Sequence, residues 1–96
     1  MNIIWASPAR RRLASIIEHI AEENPVAAIE LDEEIDRKLQ QLEKFPYSGR
    51  AGKVAGTREA VIGKYILIYE IRDDNLIIDY IYHGAMQYPP KSPAAF

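Results

Sequence analysis

Residues 56–89 read GTREAVIGKYILIYEIRDDNLIIDYIYHGAMQYP, and this stretch decides the fold. β-Branched and aromatic residues dominate three successive runs, a composition that favours strands. The predicted strands cover residues 58–62, 65–72 and 76–83. The polar residues 73–75 separate the last two runs and indicate a tight turn. Three strands joined this closely are expected to form an antiparallel sheet.

Two helices are predicted before this sheet. Ser7-Pro8 indicates a helix start, because a hydroxyl residue caps an N-terminus well and proline suits the first helical position. Asn24-Pro25 repeats that signal and ends the first helix. The short connection between the helices predicts an antiparallel hairpin. Apolar residues recur every three or four positions in both helices, at Ala9, Leu13, Ile16, Ile17, Ile20 and Ala21 and then at Ala28, Leu31, Ile35, Leu39 and Leu42.

The element order defines the fold class. An apolar run at residues 2–6 adds a strand before the helices, and residues 47–56, with three glycines, are predicted to be a loop. The order β-α-α-β-β-β is that of an α+β domain in which a helical hairpin packs on an antiparallel sheet. Because apolar residues occupy both faces of the last hairpin, one face should take the helices and the other should lie exposed for a partner. We expect one domain over residues 1–90 and a flexible tail over residues 91–96.

The composition argues against several classes of protein. The chain has no cysteine and only two histidines, His19 and His83, which lie in different elements. We therefore expect neither a disulfide framework nor a metal site, and no cofactor. The N-terminus lacks the basic and long apolar segments of a signal peptide, and no apolar run approaches the roughly 20 residues that span a bilayer. A cytoplasmic protein without a membrane segment is expected.

Charge is unevenly distributed along the chain, although the net charge is only −2. Eight acidic residues and no Lys or Arg lie between residues 18 and 36. An acidic balance argues against unselective nucleic-acid binding, which depends on phosphate neutralisation, but a local basic patch can bind one acidic partner. The arginines at 10–12 occupy the first turn of a helix, where the dipole disfavours cations, so helix stability does not explain them. A second basic cluster consists of Arg50, Lys53, Arg58 and Lys64.

Several different short motifs follow one another along the chain. They are Pro8-Ala9, NPVAA at 24–28, FPYSGR at 45–50, GTRE at 56–59, YILIY at 65–69, YHGA at 82–85 and finally Tyr88-Pro89. Their order and spacing resemble the RelE/ParE superfamily of bacterial type II toxin–antitoxin toxins over about residues 1–90. The resemblance implies a cognate antitoxin that wraps the toxin, and contact with operator DNA only through that antitoxin.

The superfamily contains two competing activities. RelE-like members cleave mRNA on the ribosome, whereas ParE-like members poison DNA gyrase and have no known need for enzymatic residues. Cleavage of RNA requires a base, a cation and an acid around one phosphate. The residues available for this are Arg58, His83 and Lys53 or Arg50, with Tyr88 nearby. Arg58 begins one strand and His83 ends another, so we expect the two to meet at one sheet edge.

The charge of the chain favours the ParE-like branch. RelE-like nucleases carry several cations around the site and are strongly basic, while this chain is acidic and its loop offers only Arg50 and Lys53. The resemblance then implies a plasmid-stabilisation toxin that inhibits gyrase and forms a hetero-oligomer with a ParD-like antitoxin. No catalytic residue is firmly predicted. The candidates for contact with target or antitoxin are Arg10, Arg11, Arg50, Lys53, Arg58, Lys64, His83 and Tyr88.

Structural roles compete with each of these assignments. Arg58 is equally suited to an ion pair with Glu59 or Glu70 that supports the fold. His83 can equally be a polar residue that ends a strand, and the tyrosines of the strands can equally be core residues. A degenerate relative that only binds its antitoxin would need none of the candidate residues for activity.

Overall fold

A computed structural model describes residues 1–86 and 88 of the chain. Two helices and five strands follow one another in the predicted order, with one addition. Strand β2 comprises two residues within the stretch that was predicted to be a loop. The predicted tail at residues 91–96 lies outside the described residues. The elements are β1 (Asn2–Trp5), α1 (Ser7–Glu23), α2 (Pro25–Lys44), β2 (Arg50–Ala51), β3 (Arg58–Ile62), β4 (Tyr65–Arg72) and β5 (Asn75–His83).

Asn24 connects the two helices of the hairpin. Its backbone N–H donates to the carbonyl of Ile20 at 2.8 Å and closes α1, while its side-chain Oδ1 accepts the N–H of Ala27 at 3.1 Å and caps α2. One residue therefore satisfies a free backbone group at each helix end. The equivalent prediction for Ser7 is wrong, because Ser7 is already helical and no side chain caps α1.

The sheet has the order β1-β5-β4-β3-β2. Strands β3, β4 and β5 pair antiparallel, as predicted, and β2 pairs antiparallel with β3. Strand β1 joins the far edge parallel to β5, so the sheet is mixed and not antiparallel throughout as predicted. A parallel edge follows from the chain path, since the helices carry the chain across one face before the remaining strands form. The β4–β5 pairing contains a bulge: Tyr69 pairs with Ile78 and Ile68 with Tyr80, so Asp79 is the extra residue.

The main core lies between the helices and one face of the sheet. Both predicted apolar stripes point into it, with the buried positions of α2 contributing most from the helical side. At about 1.5–3 kcal/mol for each fully buried aliphatic side chain, this layer is the main source of stability. Its buried members are Ala9, Ile16, Leu31, Ile35, Leu42, Ala60, Ile62, Leu67, Tyr69, Leu76, Ile78 and Ile81.

The opposite face of the sheet is partly covered. Ile68, Tyr80 and Tyr82 are buried there and form a second cluster with Tyr88. The expectation that this face lies exposed is wrong at these positions, because Tyr88 packs back onto the sheet. Val61, on the same face, remains 48% exposed.

Candidate interaction surface

Arg58 fastens the loop after α2 to the sheet. Its Nη1 donates to the carbonyl oxygens of Tyr47 at 3.2 Å and Gly49 at 3.0 Å. The guanidinium also lies over the Tyr47 ring, 5.0 Å from its centroid, in a cation–π contact. The structure therefore gives Arg58 a supporting role, through the loop backbone and not through the predicted ion pair with Glu59 or Glu70.

Tyr69 holds the same loop from inside the core. Its hydroxyl donates to the carbonyl of Pro46 at 2.7 Å and accepts the N–H of Gly49 at 3.1 Å. Burial raises the pKa of the Tyr69 phenol, and the Gly49 hydrogen bond and the charge of Arg58 oppose that shift. The neutral phenol is thus the form that fixes the loop. Sequence reasoning missed this role, because a tyrosine in an apolar strand reads simply as a core residue.

Arg50 and Glu59 form an ion pair across β2 and β3. The Arg50 Nε lies 2.7 Å from the Glu59 Oε1, and the two residues are register partners. The Glu59 side chain is 4% exposed and that of Arg50 is 58% exposed. The second carboxylate oxygen, Glu59 Oε2, is buried without a hydrogen-bond partner within the described part of the chain. Arg50 thus compensates a buried negative charge and still presents its outer part to solvent.

Tyr88 stacks on the sheet. Its ring lies 4.9 Å from that of Tyr82 and 5.8 Å from that of Tyr80, measured between centroids, with nearly parallel planes. Burial is the main cause that raises the pKa of Tyr88, and the charge of Asp79 adds to it. The Tyr88 ring therefore covers the second cluster as an apolar group.

His83 lies at the other end of the sheet from Arg58, and the expectation that they meet is wrong. His83 pairs with Tyr65, whereas Arg58 pairs with Tyr69 on the same strand. These partners are four residues apart, which corresponds to about 13 Å along the strand. The set Arg58, His83 and Lys53 therefore does not surround one phosphate.

The candidate cations lie in three places, two of them at opposite ends of the sheet and the third on α1. Arg50, Lys53 and Arg58 belong to β2, β3 and the loop between them. Lys64 occupies the turn between β3 and β4, where its carbonyl accepts the Gly84 N–H at 2.8 Å and so lies beside the end of β5. The other two candidates, Arg10 and Arg11, are exposed on the first turns of α1.

Asp79, the extra residue of the bulge, shares a hydrogen bond with Glu70 on β4. Burial raises the pKa of Asp79 to about 7, the hydrogen bond and charge of Glu70 act in the same direction, and Arg72 opposes them. Arg72 in turn forms an ion pair with Glu70. Sequence reasoning missed this pair, since the β4–β5 register that pairs Glu70 with Ile77, two residues from Asp79, was not predicted.

We expect the stability of the protein to fall as the pH rises from about 4 to about 7, because the folded state keeps a proton on Asp79 that the unfolded chain has released. The full shift in the pKa of Asp79 would correspond to about 4 kcal/mol in the free energy of unfolding. Solvent screening at this partly exposed site reduces the expected change to about 1–2 kcal/mol. Asp79→Asn should flatten this dependence and raise the stability above neutral pH.

Urea unfolding at about pH 5 and about pH 8 measures both effects. Asp74→Asn, in the exposed turn before β5, is the matched control. Its stability should change with pH by the same slope as that of the wild-type chain. An unchanged slope in Asp79→Asn would show that the carboxyl pair does not hold the proton.

Among the described residues, the candidates Arg58 and His83 do not converge on one site. Within residues 1–86 and 88, no group of three or more His, Asp or Glu side chains is arranged to hold a metal ion. Neither described helix is long and apolar enough to cross a membrane. What the surface does present is a fixed loop with cations at its rim and exposed apolar side chains at Tyr47, Val54 and Val61.

Comparison with known proteins places these features in a family. A family model described as "ParE toxin of type II toxin-antitoxin system, parDE" matches residues 3–88. A protein of Sinorhizobium fredii described as "Putative toxin Y4kP" is 35% identical over 90 residues, which cover 92% of this chain and 93% of that protein.

Two solved structures show the same fold. The first, described as "Chromosomal ParDE TA system from P. aeruginosa", superposes with a TM-score of 0.75 at 19% identity and covers 86% of this chain and 95% of its own. The second is the toxin–antitoxin complex RelBE2 from Mycobacterium tuberculosis, with a TM-score of 0.58 at 22% identity, covering 85% and 95%. At these identities the likeness concerns the arrangement of helices and strands.

Proposed function

Because the chain belongs to the ParE toxin family of type II toxin–antitoxin systems, we propose that it acts by inhibiting DNA gyrase and that a ParD-like antitoxin neutralises it. The inhibition is non-enzymatic: the toxin binds its target and catalyses no reaction. The protein acts in the cytoplasm, in a module of the plasmid-stabilisation type.

The observation that carries this proposal is the separation of Arg58 from His83. An RNA-cleaving site needs its base, cation and acid at one phosphate, and here the two best candidates lie at opposite ends of the sheet. Arg58 is moreover engaged by two carbonyl oxygens and an aromatic ring. The net charge of −2 also suits a protein target better than a cavity lined with RNA.

The proposed antitoxin partner is supported by the solved neighbours, which are described as toxin–antitoxin systems or complexes. The exposed apolar side chains provide area for such a partner, and the cations at the loop rim suit acidic side chains on it. DNA contact in this proposal belongs to the antitoxin within a hetero-oligomer.

A paired assay tests the proposal. We expect the purified chain to inhibit the supercoiling of relaxed plasmid by gyrase, and the antitoxin encoded beside it to reverse the inhibition at a stoichiometric ratio. A translation reaction containing ribosomes and mRNA should show no cleavage. His83→Ala should inhibit gyrase as well as the wild-type chain does. mRNA cleavage that is lost in His83→Ala, with gyrase unaffected, would overturn the proposal in favour of a RelE-like ribonuclease.

A further inference from the structure

A cleft between α1 and the end of the sheet gathers hydrogen-bond donors. It has a volume of about 370 Å³ and opens on the side of the sheet that carries the helices. Its lining comprises Arg12, Ser15, Ile16, His19, Tyr65 and His83. Both histidines of the chain are among these residues. Of the candidate contact residues for target or antitoxin, only His83 is among the described residues that line this cleft.

Arg12 supplies the permanent charge of the cleft. Its Nε is buried without a hydrogen-bond partner within the described residues. Within residues 1–86 and 88, its Nη2 donates only to the sulfur of Met86, at 3.5 Å, and a thioether is a weak acceptor. The Nη2 contact to a thioether is weak, so an anion in the cleft would replace it with a stronger, charge-assisted hydrogen bond to the terminal guanidinium nitrogens.

The imidazole of His83 has one nitrogen available to the cleft. Its Nδ1 accepts the N–H of Ala85 at 3.1 Å, so the proton of the neutral ring is on Nε2. The edge-on packing against Tyr65, with centroids 5.5 Å apart, holds the ring in this orientation. His83 therefore offers a fixed N–H donor.

The remaining polar lining adds donors without adding negative charge. Ser15 and Tyr65 contribute hydroxyl groups, and His19 contributes a second, exposed imidazole. No Asp or Glu is present among the described residues that line the cleft. The lining thus offers donors from one guanidinium, two imidazoles and two hydroxyls. These donors outnumber the two acceptor oxygens of a carboxylate, so they suit an anion with three or four oxygens.

We propose that this cleft binds the phosphate group of a small phosphorylated molecule. The volume exceeds what a bare phosphate fills, so space remains for an organic group beside it. Arg12 pairs with the phosphate oxygens, and His83 and His19 donate to them. This role also accounts for an arginine in the first two turns of α1, a position that the helix dipole disfavours.

Proton NMR on the full purified chain tests the proposal with inorganic phosphate as the probe. The two histidines give two imidazole signals, and His19→Gln assigns them. At fixed pH and constant ionic strength, both signals should shift saturably with phosphate. Arg12→Gln should weaken the binding about tenfold or more, whereas Arg11→Gln, exposed one position earlier, should leave it unchanged.

Acetate and chloride distinguish a phosphate site from a general response to anions. Weak, unsaturable shifts with both support the proposal. Equal saturation by acetate would overturn it, because the cleft would then accept carboxylates as readily. Loss of the phosphate response in Arg11→Gln as well as in Arg12→Gln would overturn it too, since the effect would come from net charge. Thermal unfolding of each variant shows that the fold is retained, and His83→Gln provides a second variant within the cleft.

Discussion

Gly49→Ala is expected to lower the free energy of unfolding by about 2–3 kcal/mol, because the added methyl group has no space. A Cβ at this position would press on the hydroxyl and ring of Tyr69 and would lie 2.8 Å from the carbonyl oxygen of Glu59. Tyr69 is fully buried and cannot withdraw. The loop would have to move away from β3, and it would lose the hydrogen bonds that it receives from Arg58 and Tyr69.

Gly56→Ala is the matched control. A Cβ there meets nothing within 4 Å, but the residue has a φ of +84°. The substitution should therefore show only backbone strain, about 1 kcal/mol. Urea unfolding of both variants gives the difference, which is the contribution of the close contact. Equal losses in the two variants would show that the packing of Gly49 on Tyr69 does not constrain the loop.

Arg50→Ala is expected to destabilise the protein by about 2–3 kcal/mol, since it leaves the carboxylate of Glu59 buried without a countercharge. The expected loss is below that of a fully buried pair because Arg50 is itself largely exposed, and water can enter the space that it vacates. Glu59→Gln in the Arg50→Ala background should restore part of the stability by removing the orphan charge.

The four chains of this double-mutant cycle are compared by urea unfolding, with Lys53→Ala as a control for the loss of one loop cation. Lys53 is exposed, so its removal should change the stability by no more than about 0.5 kcal/mol. Strictly additive losses in the cycle would contradict the coupling of Arg50 with Glu59.

Much of the fold follows from periodicity. The bounds of β3 and β4 agree with the prediction, and β5 begins one residue early at Asn75. These segments are long and regular, so local pattern was sufficient. Strand β2 was missed because it owes its conformation to pairing with β3, seven and nine residues further along, and not to its own glycine-flanked sequence.

The separation of Arg58 from His83 was within reach of sequence reasoning. In a meander, β3 and β5 both run antiparallel to β4 and thus parallel to each other. The start of one and the end of the other must then lie at opposite ends of the sheet. The contacts of Arg58 and Tyr69 with the loop were not predictable in this way, because they join side chains to backbone atoms whose positions depend on the completed sheet.

The parallel edge strand has a consequence for the synthesis of the protein. Asn2 and its register partner Asn75 are 73 residues apart, so the first strand to leave the ribosome pairs with the last one to be made. Contacts between such distant segments slow folding, and they cannot form before β5 emerges. A nascent chain can fold its helical hairpin early, but its sheet cannot be completed until β5 has been made. Premature termination before β5 therefore releases a chain without a completed sheet, and folded toxin arises only from copies that are translated through β5.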